Sequence, residues 1–150
     1  MCGMVIVSKD AYHQIKSSVI NASGSYEVGG VLIGCKFLNF YFIKSVTVPL
    51  YTAEKSKVSF TLDGEAHTLA AQKIIERNKG KLFVLGIWHS HICDGDRFSE
   101  QDRKSNRELA ASLGGAVSML AVMSENNVRL TSYFINKSGR EQRFRTFFMI

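Results

Sequence analysis

Leu82-Phe83-Val84-Leu85-Gly86-Ile87-Trp88-His89 runs straight into Ser90-His91, and seven residues later comes Ser99-Glu100-Gln101-Asp102. Residues 82–89 are apolar, short, and rich in aromatic and β-branched side chains, which predicts a buried strand rather than a helix. A polar loop over 92–98 follows. Ser99 then predicts the start of a helix running to Leu113, closed by Gly114-Gly115. Strand, loop and helix in that order make an α/β domain the first expectation.

Working outward, the same reading gives further elements. Residues 3–7 form a short strand, and Ser8 caps a helix to Gly24 with Ala11, Ile15 and Val19 on one face. Residues 28–34 form a glycine-rich buried strand and 37–48 its hairpin partner. A short strand is expected over 56–62, then a helix from Asp63 to Asn78 with Ala66, Leu69, Ala70 and Ile74 in register. Residues 116–123 and 129–135 form a hairpin, and 140–150 adds a last strand. Helices interleaved with hairpins and crossovers predict a mixed sheet flanked by helices.

The bulk properties narrow the class. The chain has 150 residues, 45% hydrophobic and 21% charged, with one Pro and 12 Gly. That length suits one domain spanning 1–150, and the composition excludes long disorder or a fibrous repeat. The longest mostly apolar run, 116–123, is far short of a membrane span, and the N-terminus has no signal-peptide pattern. Cys2, Cys35 and Cys93 form no CxxC pair, so a reduced, cytoplasmic setting is expected. The net charge is +6, and the basic residues are dispersed apart from Lys137, Arg140, Arg143 and Arg145 near the end. Neither a nucleic-acid nor a membrane partner is expected from that scatter.

The chemistry sits in the opening stretch. His89 and His91 are two apart on a strand, so the pleat puts both imidazoles on one side and turns Trp88 and Ser90 away. Two nitrogen donors then surround one point, as a zinc ion requires at about 2.0–2.1 Å. Asp102, in the first helical turn, can complete a three-ligand set and leave a fourth position for water, whose pKa zinc lowers to about 7. Glu27 enters an otherwise apolar strand, a costly place for a carboxylate, and is the candidate proton carrier. Each part also has a plain reading: Ser99-x-x-Asp102 fits a capping box, and Glu27 fits a surface turn. Cys93 is either a free loop thiol or a fourth, resting-state metal ligand. Gly29, Gly30 and Gly34 match no phosphate loop and are expected to let the backbone approach the metal site closely. His13 and His67 are expected to face solvent.

Taken together, Glu27, His89-Ser90-His91, Ser99 and Asp102 resemble the signature of the JAMM (MPN+) zinc metalloproteases. Tyr26-Glu27-Val28-Gly29-Gly30-Val31-Leu32-Ile33-Gly34 and Ser59-Phe60-Thr61-Leu62-Asp63 are similar to two further blocks of that family. The resemblance implies a cytidine-deaminase-like α/β fold with a mixed sheet flanked by helices. It implies zinc held by His89, His91 and Asp102, proton transfer by Glu27, an oxyanion contact from Ser99, and a structural role for Ser90. The implied substrate is a ubiquitin-like protein or its conjugate, cut after its C-terminal tail, with E1-like and E2-like enzymes of an antiphage system as further partners. Alternatives are a sulfur-carrier precursor, phage-tail or cell-wall peptides, or a noncatalytic scaffold. Ile92 stands where members usually carry Pro, and the chain is short, like a minimal prokaryotic member.

Overall fold

The stretch 82–91 lies at the middle of the sheet. The computed structural model describes residues 2–22, 25–48, 64–91, 95 and 97–149. Its elements in chain order are β1 (Met4–Val7), α1 (Lys9–Ala22), β2 (Gly29–Phe37), β3 (Phe40–Val46), α2 (Gly64–Arg77), β4 (Phe83–His91), α3 (Glu100–Leu113), β5 (Ala116–Ser124), β6 (Asn127–Ile135) and β7 (Glu141–Phe148). β4 lies between β2, antiparallel to it, and β5, parallel to it. It runs two residues further than expected, because pairing continues to His91 opposite Val122. Both histidines are therefore held inside a ladder. The strand expected over 56–62, and the helix cap at Asp63, lie outside the described residues.

The expectation of a plain flanked sheet needs correcting. The strand order is β1-β3-β2-β4-β5-β6-β7, and the sheet closes into a barrel. The reason is a change of partner within β7. Glu141 to Phe144 pairs antiparallel with β6, and Arg145 to Phe148 then pairs parallel with β1. Closure removes the exposed edges that an open sheet would have to protect. Buried side chains from all seven strands and from α1 form one cluster, with Trp88, Leu32, Ile43, Val117 and Met119 at its centre.

α1 joins that cluster through Ala11, Ile15, Val19 and Ala22, the helical spacing read from the sequence. Its start is fixed by Ser8, whose Oγ accepts the Ala11 N–H at 3.1 Å. α2 lies outside, against Val31, Ile33 and Leu82. Its buried stripe is Ala71 with Ile74 and Ile75, whereas Leu69 is 54% exposed. The expected face was thus turned too far, since a one-residue shift along a helix rotates the stripe by about 100°.

The glycines of β2 also differ in purpose from the expectation. A Cβ on Gly30 would strike the Thr47 carbonyl, and one on Gly34 the Phe42 carbonyl. Both glycines let neighbouring backbone come close within the sheet. No helix among the described residues is long and apolar enough to cross a membrane.

Candidate metal centre

Two elements deliver the ligands, and each does so by local rules. The β4 pleat turns His89 and His91 outward and sends Trp88, fully buried, into the core, where its Nε1 donates to the Thr47 carbonyl at 3.0 Å. α3 begins at Ser99 with a complete capping box. Ser99 Oγ accepts the Asp102 N–H at 3.1 Å, and Asp102 Oδ2 accepts the Ser99 N–H at 2.9 Å. The capping box is complete, and the same Asp102 oxygen is the one turned toward the two histidines.

That oxygen lies 3.1 Å from His91 Nε2 and 3.4 Å from His89 Nε2, and the two imidazole nitrogens are 3.1 Å apart. Donors bound at zinc distances in a tetrahedron stand about 3.3 Å from one another, so the triangle has the size of a metal's coordination face. Its chemistry agrees. Two facing Nε2 atoms and a carboxylate oxygen offer three lone pairs to one point, and a single imidazole proton cannot serve all three. His89, His91 and Asp102 can hold a metal ion.

The surrounding charges lead to the same point. Burial alone would push the Asp102 carboxyl up, but the hydrogen bonds of His89 and His91, the His89 charge and the Ser99 backbone hold it well below the usual carboxylate range. Burial would lower His91. The hydrogen bond and charge of Asp102, the charge of Glu27 and the Gly95 backbone outweigh it and raise the imidazole. Positive charge is favoured at this spot, as a cation site requires.

Glu27 is brought close by register. Gly29 pairs with His89, and beyond it Ser90 N–H donates to the Val28 carbonyl at 2.7 Å while Val28 N–H donates to Ser90 Oγ at 2.9 Å. Continuing that ladder places Glu27 beside His91, on the face the histidines share. Glu27 is only 7% exposed. Through its two bonds Ser90 clasps Val28, the residue after Glu27, to β4. Gly29 lies opposite His89, and Gly30 opposite Trp88 on the other face. Cys93 lies outside the described residues. His13 is exposed, as expected.

Two neighbours were missed in the sequence. Phe98, buried, packs its ring 6.2 Å from that of His89 and 4.8 Å from that of Tyr133, and so walls the centre. Asn106 is 2% exposed and accepts a hydrogen bond from Ser118 Oγ at 2.9 Å, pinning α3 to β5. The available signals were an aromatic residue just before a cap, and an Asn at the 102, 106, 110 spacing that must face the sheet.

Comparison with known proteins extends the picture. A family model described as prokaryotic homologs of the JAB domain matches residues 9–136. The solution structure of a protein from Desulfitobacterium hafniense is similar in fold, with a TM-score of 0.75, 20% sequence identity, and coverage of 97% of this chain and 93% of that one. No curated protein matches the chain.

Proposed function

This chain belongs to the prokaryotic JAB-domain family, and from that premise we propose that it is a zinc-dependent peptidase. Its substrate is a ubiquitin-like protein, or a conjugate of one, cut at the amide or isopeptide bond after the C-terminal tail. The observation that carries the reading is the triangle of His89, His91 and Asp102 with a buried carboxylate, Glu27, alongside. A scaffold has no need to bury a carboxylate next to two histidines and an aspartate.

His89, His91 and Asp102 would hold the ion. When bound, zinc supplies Lewis acidity, which polarises a carbonyl and acidifies water. Glu27 takes the proton from the attacking water and returns it to the leaving amine. The Ser99 hydroxyl accepts from the Asp102 N–H, so its own proton stays available to donate to the carbonyl oxygen as charge builds there. Phe98 and the apolar sheet keep water from the ligands' inner side. Adenylating and conjugating enzymes of the E1 and E2 kinds belong to the same proposal as sources of the conjugate.

The test is an incubation of the zinc-loaded protein with linear and isopeptide-linked ubiquitin-like fusions side by side. Cleavage after the tail, abolished by a chelator and restored by zinc, is the expected result. Glu27→Gln should keep its zinc and lose turnover by about 10³-fold. Wild-type turnover in that variant, or full activity in chelator, would overturn the reading.

A further inference from the structure

A cleft of about 510 Å³ opens where β7 changes partners. β6 and β7 pair only as far as Ser132 opposite Phe144 and then part, as β7 turns to β1. Phe147, two residues beyond Arg145 and 44% exposed, gives the cleft apolar surface, with the edges of buried Leu130 and Phe144 behind it. Arg143 and Arg145 line it as well, two apart on β7 and therefore on one face of the strand. Among the described residues, no acidic side chain lines it. Arg145 is exposed and makes no ion pair among the described residues.

Two guanidinium forks beside apolar side chains repel cations. They suit an anion that carries an apolar body, because Arg grips planar oxyanions with paired hydrogen bonds. The wall adds an unused polar group. Thr131 is 3% exposed, and its Oγ1 has no hydrogen-bond partner among the described residues. Buried hydroxyls are normally bonded. Thr131 lines the cleft, so its hydroxyl is a candidate donor to an anion bound there.

We propose that this cleft binds an oxyanion, carboxylate or phosphate, carried on an aromatic or aliphatic group. The site is separate from the metal centre. Thr131 pairs with Leu120, and Leu120 with His89, so two strand spacings, about 10 Å, lie between His89 and Thr131. Two sources share this chemistry: an acidic side chain next to an apolar one on a protein substrate, and a small free anion. The assignment does not rest on the peptidase reading.

The experiment is a titration of the full chain at low salt, followed by calorimetry and by the Arg Nε–H resonances. The probes are inorganic phosphate, phenyl phosphate, acetyl-Phe-Glu-amide and, as neutral control, acetyl-Phe-Gln-amide. Phenyl phosphate is expected to bind about tenfold tighter than inorganic phosphate. Its affinity is expected to fall about tenfold in the Arg143→Gln/Arg145→Gln double variant, and about threefold in Thr131→Val. Metal content stays constant in both variants. If acetyl-Phe-Glu-amide binds more tightly than phenyl phosphate, the anion arrives on a protein substrate; the reverse order identifies a free anion. The proposal fails if no probe saturates, if the double variant binds phenyl phosphate as the wild type does, or if the neutral dipeptide and the glutamate dipeptide bind equally.

Discussion

α2 and α3 are each 14 residues long and both lie against the outside of the sheet, but they are held there by different means. The described attachment of α2 is apolar: Ala71, Ile74 and Ile75 on Val31, Ile33 and Leu82. α3 has a small apolar contact, Ala110 on Ala116 and Ile135, and adds a capping box and the Asn106–Ser118 hydrogen bond. Apolar burial is non-directional and tolerates a small slide or rotation. Hydrogen bonds are directional and fix position to a few tenths of an ångström. α3 needs that precision, because it must present one oxygen to two imidazoles at 3.1 and 3.4 Å.

The contrast can be broken first at the ligand itself. Asp102→Ala should cost more than about 100-fold in zinc affinity, beyond what a supporting residue is worth, and should bring cleavage to background. Zinc content by mass spectrometry and the fusion assay measure both; a variant that keeps its metal would remove the special status of α3. Ser99→Ala should next lower turnover by about 10²-fold with zinc retained, and destabilise the helix start by about 1 kcal/mol. Steady-state kinetics and denaturant unfolding read the two effects separately.

On the α2 side the expected losses are of stability alone. Ile33 is fully buried against that helix. Ile33→Ala should cost about 3 kcal/mol in urea unfolding and leave zinc affinity unchanged. A parallel fall in metal affinity would mean that the two helices are coupled through the sheet. The smallest effect should come from Leu69→Glu, within about 0.5 kcal/mol, because Leu69 stands 54% exposed.

How much of this could be read from the chain follows from how far apart the partners lie. His89 and His91 share a strand, and Ser99 and Asp102 share a helical turn, so pleat and cap geometry place them without knowledge of the fold. Glu27 drew notice for a different reason: a carboxylate at the entry to an apolar strand is expensive wherever it pairs. Its position beside His91 depends on the β2–β4 ladder, which joins residues 62 apart. Closure of the sheet was not legible. Residues 140–150 alternate as a strand should, but alternation says nothing about a strand that pairs with β6 for four residues and then with β1 for four. The purpose of Gly30 and Gly34 was misread for a similar reason, since the carbonyls they accommodate belong to Thr47 and Phe42, outside any local window. For α2, Leu69, Ala70 and Ala71 are consecutive small or apolar residues, and periodicity alone leaves the choice of face open.

The shared oxygen of Asp102 has a consequence for the order of assembly. It receives the backbone proton of Ser99 only when the opening turn of α3 is wound, and only that turn swings it toward β4. A nascent or partly melted chain therefore lacks the third corner of the triangle, and any ion capture there would wait on helix nucleation. On the proposed metal binding, stripping the ion and fraying the first turn would be two views of one event, and amide exchange at Asp102 would report occupancy.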